Sequence, residues 1–231
     1  MRYAVLSDIH GNQYALEEVL KDIKRQGIHK LLLLGDYVGY YYGITSILEQ
    51  IRQFDFIAIR GNHEDLLLDG MKDGRVLKLL DVKYGTSHRR CIETLPKHEL
   101  NFLTKLPRTC ELKIDGLKVL LCHGAPWSTS EYVYPNADNV VLNKYDDYAY
   151  DFIFFGHTHY RTVFDRNGMQ VVNPGSVGQS RQMGGMAYWC ILDTEQKKVE
   201  FMNTPYDTAA LVKEVINNDL ILSYNLNILS R

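Results

Sequence analysis

One local pattern occurs six times along the chain: a short apolar run of strand length, followed by polar residues rich in Gly, Asp, Asn and His. In the clearest cases, residues 3–6, 31–34 and 56–59 lead into Ser7-Asp8, Gly35-Asp36 and Gly61-Asn62-His63. Looser versions lie at 119–122, 152–155 and 169–172. Consecutive apolar residues are typical of strands buried on both faces, so the pattern predicts a sheet that is covered on both sides.

Helical periodicity fills the gaps between the first three runs. Apolar residues recur at helical spacing in two stripes: Leu16, Val19, Leu20 and Ile23, then Ile44, Ile47, Leu48 and Ile51. Asn12 is a candidate N-cap for the first helix, and Gly27 a candidate stop. Alternating strands and helices predict a parallel α/β core. Because such sheets bind ligands at the carboxyl ends of their strands, we expect six segments to meet at one crevice.

The rest of the chain adds helices to this core. Residues from about 66 to 106 predict a helical, more polar excursion beside the sheet. The tail after Asp207 predicts one further helix. We therefore expect a single domain over residues 1–231, a length that can bury a sizeable core.

Composition excludes several classes of protein. The net charge of −2 gives no strong field for nucleic acid or an anionic membrane, so we expect neither as a partner. No apolar run approaches the roughly 18 residues of a membrane span. The four cysteines (Cys91, Cys110, Cys122 and Cys190) form no C-x-x-C pair, which argues against a zinc ribbon. We expect them to be reduced in a cytoplasmic protein.

Residues that can bind metal are concentrated at the predicted strand ends. Asp8 and His10 are two apart, as are His157 and His159, and side chains at i and i+2 of an extended chain point the same way. Asp36, Asn62, His63 and His123 complete the set. Singly, such an Asp is more often a helix cap and such a His a hydrogen-bonded structural residue. Together, at so many strand ends and beside glycines, they predict a metal site.

The order of these residues matches a known family. Asp8-x-His10, Gly35-Asp36, Gly61-Asn62-His63-Glu64, His123-Gly124 and Gly156-His157-x-His159 resemble the motifs of the calcineurin-like metallophosphoesterase superfamily. The resemblance covers residues 2 to about 192 and is closest to the small, single-domain, phosphodiesterase-like branch of bacteria and archaea. It implies an α/β fold, a four-layer αββα sandwich with a largely parallel, mixed sheet core.

The resemblance also implies a role for each residue. Asp8, His10 and His159 would bind a first metal ion. Asn62, His123 and His157 would bind a second, and Asp36 would bridge the two. His63 would be the catalytic residue that faces the substrate without binding metal. The implied activity is hydrolysis of phosphomonoesters or phosphodiesters by attack of a metal-bridging hydroxide.

The mixed imidazole and carboxylate ligands indicate which metals the site would take. They suit manganese, iron, zinc, cobalt or nickel better than magnesium or calcium, which prefer oxygen ligands alone. We expect two divalent transition-metal ions, with manganese first. On the substrate side, Arg181 is a candidate partner for a second phosphate, and Tyr37 for an aromatic ring. A solvated surface position for Arg181 and plain packing for Tyr37 are the alternatives.

Two other functions stay open at this stage. The same metal centre could serve a dinucleoside polyphosphate hydrolase of the diadenosine tetraphosphate type. A non-catalytic scaffold is the other alternative, since a retromer-complex subunit has this fold without its catalytic histidine. His63 is present here, which favours an enzyme. The sequence does not identify the physiological substrate, the native metal or the oligomeric state.

Overall fold

The computed structural model describes residues 1–219 and 223–231. Its first sheet contains five strands: β1 (Arg2–Leu6), β2 (Lys30–Leu33), β3 (Asp55–Ala58), β9 (Met186–Asp193) and β10 (Lys198–Pro205). Their order is β10-β9-β1-β2-β3, with β1, β2 and β3 parallel and β9 antiparallel to both of its neighbours. The parallel strands are the first three apolar runs of the sequence, separated by the predicted helices.

A second five-stranded sheet contains the other three runs. Its strands are β4 (Thr109–Ile114), β5 (Leu117–Cys122), β6 (Phe152–Phe154), β7 (Thr162–Arg166) and β8 (Met169–Asn173), in the order β4-β5-β6-β8-β7. Strands β5, β6 and β8 are parallel, whereas β4 and β7 are antiparallel edge strands. The six predicted strands are thus divided between two mixed sheets, and the α/β sandwich that the resemblance implied is confirmed.

Helices and loops cover the outer faces. The helices are α1 (Gln13–Arg25), α2 (Ile44–Ile51), α3 (Asn62–Lys72), α4 (Gly74–Tyr84), α5 (Ser87–Thr94), α6 (Lys97–Lys105), α7 (Asn139–Leu142), α8 (Ala209–Asp219) and α9 (Ser223–Leu229). A 3₁₀ helix over Asn143–Asp147 follows α7. The Asn12 side chain caps α1 by accepting a hydrogen bond of 3.0 Å from the Ala15 N–H. None of the described helices is both long enough and apolar enough to cross a bilayer.

Alternate side chains along each strand face different layers of the fold. On β1, Ala4 and Leu6 face the layer of α1 and α2, whereas Tyr3 and Val5 face the second sheet. A buried cluster between the sheets joins residues of both, including Leu121 of β5. Burial on both faces explains why these strands read as continuous apolar runs. It also holds the carboxyl ends of β1, β2, β3, β5 and β6 on one side of the molecule.

Candidate metal centre

Five strand ends deliver the predicted ligands to one place. Asp8 and His10 follow β1, Asp36 follows β2, and Asn62 opens α3 directly after β3. The second sheet adds His123 after β5, and His157 and His159 after β6. All of these side chains are buried except Asn62, which is half-buried. The structure therefore brings together every residue that was predicted to bind metal.

The first group consists of Asp8, His10 and His159. Their ligand atoms lie within 4.8 Å of one another. His159 Nε2 lies 3.3 Å from Asp8 Oδ1 and 3.0 Å from His10 Nε2. These three residues are those assigned to the first ion.

The second group consists of Asp36, His123 and His157, again within 4.8 Å. His123 Nε2 lies 3.1 Å from Asp36 Oδ2 and 3.0 Å from Asn62 Oδ1, so Asn62 joins this group. His157 Nε2 is buried and has no hydrogen-bond partner among the described residues. Asp36 Oδ2 also lies 3.7 Å from His10 Nε2, which places Asp36 between the two groups.

The histidine tautomers test whether these groups fit a cation. The Nδ1 atoms of His10, His123 and His159 lie 3.0, 2.8 and 2.7 Å from the carbonyl oxygens of Val38, Leu34 and Gln179. Such contacts place the proton on Nδ1 and leave the lone pair of Nε2 for a ligand bond. In neutral His10 and His159, two Nε2 lone pairs would then face each other at 3.0 Å. A cation between them removes that repulsion, so the residues fit a metal ion.

Ionisation within the groups is consistent with this fit. Burial lowers the pKa of His10 to about 4 and that of His157 to about 4, which keeps both imidazoles neutral and able to bind metal. Burial opposes charge on His123 as well, but Asp36 outweighs it and raises the pKa of His123 to about 10. A cation bound beside Asp36 would take the place of the proton on His123 Nε2. Although burial opposes charge on Asp8, His159 holds its pKa below the usual range.

The backbone at the ligands is strained. Among the described residues, nine non-glycine residues have positive φ, and five of them are candidate ligands: Asp8, His10, Asp36, His157 and His159. Left-handed backbone costs an L-residue about 1–2 kcal/mol. The strain is held by hydrogen bonds between the loops, such as His10 N to Asp36 O at 2.9 Å and Gly178 N to Asp8 O at 3.0 Å. Strained backbone of this kind is concentrated at functional sites, where contacts with the surrounding structure keep it in place.

Two glycines allow the ligand loops to approach closely. A Cβ on Gly61 would lie 2.1 Å from Asp36 Oδ1. A Cβ on Gly156 would lie 2.0 Å from Ser7 Oγ and 2.6 Å from Asp8 Oδ2. Larger residues at these positions would displace the carboxylates, which explains why Gly precedes Asn62 and His157.

Glu64 has a role that the sequence did not indicate. Its buried carboxylate accepts hydrogen bonds from the backbone N–H groups of Asp36, Tyr37 and Val38 at 2.9, 2.8 and 3.2 Å, and from that of Gly61 at 2.8 Å. It therefore holds the loop after β2 against the start of α3. Burial, followed by the charge of Asp36, raises the pKa of Glu64 to about 7. We assign it to positioning Asp36.

His63 lies at the edge of the centre. Its backbone N–H donates to Asp36 Oδ1 at 2.8 Å, and a ring nitrogen lies within 4.8 Å of the ligand atoms of His10 and Asp36. The ring packs against Tyr84 and Tyr40, with centroid distances of 4.7 and 5.2 Å. This position is close enough for contact with a substrate at the metal centre.

The two candidate substrate residues have different surroundings. Tyr37 is buried in the core, and its hydroxyl donates to the Ile59 carbonyl oxygen at 2.9 Å. Tyr37 is therefore not available to a substrate. The prediction that it binds an aromatic ring of the substrate is corrected, and its role is packing. The left-handed turn at Asp36 (φ 55°) precedes Tyr37, whose side chain lies in the core.

Arg181 is partly buried, and its Nε has no hydrogen-bond partner among the described residues. Burial opposes its charge, but four neighbouring tyrosines outweigh burial and raise the pKa of Arg181: Tyr224, Tyr40, Tyr134 and Tyr132. In the described part of the chain, Arg181 forms no salt bridge with a carboxylate. The Nε atom of Arg181 is therefore a buried donor that no described residue engages.

A cleft of about 440 Å³ adjoins the second group. Its lining includes Asn62 and His157 of the second group, together with Tyr84, Tyr132, Lys83, Arg108, Asp65 and Asp69. The Tyr132 ring packs on His157 with a centroid distance of 4.1 Å. Sequence reasoning missed Tyr84 and Tyr132 because they belong to the helical excursion and to a loop, where no strand end marks them.

Comparisons with known proteins agree with this geometry. Residues 1–197 match the model of the calcineurin-like phosphoesterase superfamily domain. An uncharacterised protein of Methanocaldococcus jannaschii is 34% identical over 94% of this chain and 93% of its own. A phosphodiesterase of the same archaeon is 22% identical over 86% of this chain and 96% of its own. The crystal structure of a metallophosphoesterase from Sphaerobacter thermophilus has a TM-score of 0.78 and 25% identity, covering 99% of both chains.

Proposed function

This chain belongs to the calcineurin-like phosphoesterase superfamily, and we propose that it hydrolyses phosphomonoester or phosphodiester bonds at a centre of two divalent transition-metal ions. One observation carries the proposal: two buried groups of ligand atoms lie on either side of Asp36. Asp8, His10 and His159 would hold one ion, and Asn62, His123 and His157 the other. Asp36 would bind both.

The donor set favours particular metals. Four imidazoles suit iron, zinc, cobalt and nickel, while two carboxylates and an amide oxygen also suit manganese, which we place first. When bound, two ions supply Lewis acidity toward the ester oxygens and lower the pKa of water at the centre.

The chain's own residues would set the charge of the site. Only Asp8 and Asp36 are anionic ligands, and the remaining ligands are neutral. Two divalent ions would keep a positive surplus on this set, which attracts a phosphate ester. His63 lies beside the centre, where it can donate a proton or a hydrogen bond to the departing oxygen.

A nucleotide substrate is the second candidate, and the tyrosine-lined cleft favours it. Tyr84 and Tyr132 line the cleft and would contact a nucleoside there, and the planar guanidinium of Arg181 would pair with a second phosphate. A dinucleoside polyphosphate has both a planar base and more than one phosphate. Bound in this way, it would be hydrolysed at the same metal centre. A scaffold without activity is disfavoured, because His63 is in place.

We expect the manganese-loaded protein to hydrolyse bis-p-nitrophenyl phosphate or p-nitrophenyl phosphate, and chelation to abolish the activity. Cyclic nucleotides and diadenosine tetraphosphate in the same assay test the second candidate. If diadenosine tetraphosphate is the substrate, Arg181→Met should raise its KM about tenfold and leave the nitrophenyl esters nearly unchanged, because only the dinucleotide carries further phosphates. Failure to hydrolyse any of these esters after metal loading would contradict the proposed function.

A further inference from the structure

His88 is a buried residue that neither the family motifs nor the metal groups include. It lies in the first turn of α5, and its side chain is inaccessible to solvent. His88 Nε2 lies 3.3 Å from His63 Nδ1, and the two rings are inclined by only 18° with centroids 5.2 Å apart. The candidate catalytic histidine therefore contacts a second histidine that belongs to neither metal group.

Hydrogen bonding within this pair decides where its protons lie. Burial lowers the pKa of His88 to about 4, so its ring is neutral and carries one N–H. His88 Nδ1 is buried without a hydrogen-bond partner among the described residues. A buried N–H group without an acceptor is rarer than a buried acceptor without a donor. We therefore place the proton of His88 on Nε2 and leave Nδ1 unprotonated. This assignment would make His88 Nε2 the donor to His63 Nδ1.

The surroundings of His63 hold its ring in this arrangement. Gly39 lies so close that a Cβ there would be 2.2 Å from His63 Nδ1. The rings of Tyr84 and His10 pack edge-on at centroid distances of 4.7 and 4.8 Å. With Nδ1 occupied by His88, Nε2 is the nitrogen of His63 that remains for the substrate.

We propose that His88 is a positioning residue that holds His63 in the tautomer with its proton on Nε2. In this form His63 donates a hydrogen bond through Nε2–H to the departing oxygen as its negative charge develops. No proton leaves the ring, and solvent protonates the product. The catalytic consequence rests on the proposed function, whereas the tautomer itself does not.

Nitrogen-15 NMR of histidine-labelled, zinc-loaded protein measures the tautomer without any assay. His63 signals are identified by their loss in His63→Leu. We expect Nδ1 of His63 at the shift of an unprotonated nitrogen and Nε2 at that of a protonated one. Protonated Nδ1 in the unmutated protein would overturn the proposal, whatever the activity.

Two variants test the role of His88. In His88→Leu, which cannot donate, we expect the fixed tautomer to be lost and kcat for an alkyl phosphate ester to fall about tenfold with KM unchanged. His88→Gln supplies an amide N–H and should restore both readouts. The exposed His98 gives the matched control, His98→Leu. A tautomer that persists in His88→Leu would overturn the proposal, and so would a His88→Gln variant that behaves like His88→Leu. An inactive protein with the expected spectrum would instead contradict the proposed function alone.

Discussion

Asp36→Asn is expected to weaken the binding of both metal ions and to lower kcat/KM by about 10³-fold. Asp36 Oδ2 lies 3.1 Å from His123 Nε2 and 3.7 Å from His10 Nε2, so one carboxylate serves both groups. The amide of Asn keeps the shape but removes the charge that binds two cations. A loss of this size corresponds to roughly 4 kcal/mol of transition-state stabilisation, within what a metal centre supplies.

Calorimetric titration separates this effect from damage to one site. His159→Ala should weaken mainly the first ion and His123→Ala mainly the second, because each belongs to one group. Asp147→Asn, on the exposed 3₁₀ helix, is the matched control and should change neither. Unchanged affinity for two ions in Asp36→Asn would show that Asp36 does not bridge them.

His63→Leu is expected to slow hydrolysis by about 10²–10³-fold for an alkyl or nucleoside ester and by much less for a nitrophenyl ester. A nitrophenolate leaves readily as an anion, whereas an alkoxide needs a donor. Metal content should stay at the value of the unmutated protein, because His63 is not among the residues assigned to bind metal. The comparison uses the ratio of kcat/KM losses on the two esters.

This ratio distinguishes substrate contact from a structural role. His98→Leu replaces an exposed histidine and should leave both esters unaffected. Equal losses on both esters with full metal content would make His63 a positioning residue for phosphate. A loss of metal in His63→Leu would instead place His63 among the ligands, since its ring nitrogen lies within 4.8 Å of the ligand atoms of His10 and Asp36.

The fold was predictable wherever burial leaves a sequence signal. Continuous apolar runs identified β1, β2, β3, β5, β6 and β8, because burial on both faces excludes polar residues. The antiparallel strands β4, β7, β9 and β10 were not identified. Two hairpin turns in these regions do carry signals, since Asp115-Gly116 joins β4 to β5 and Asn167-Gly168 joins β7 to β8, with positive φ at all four residues.

The ligands were predictable for a related reason. Parallel strands end on one side of a sheet, so topology brings Asp8 close to Asp36 on the first sheet and His123 close to His157 on the second, and the packing of the two sheets joins these pairs. The surroundings of the centre were not predictable from the sequence. His88 and Tyr132 come from a short helix and a loop, and only the packing of α5 and of residues 125–134 brings them to the site. Tyr37 was placed wrongly, because adjacency to a ligand does not determine where a side chain points.

Elemental analysis of the manganese-loaded, extensively dialysed protein, with activity measured on the same samples, tests the central claim most directly. We expect close to two ions per chain, loss of activity as a chelator removes them, and recovery when two equivalents are restored. One ion or none per chain, together with full activity in excess chelator, would contradict a two-metal phosphoesterase.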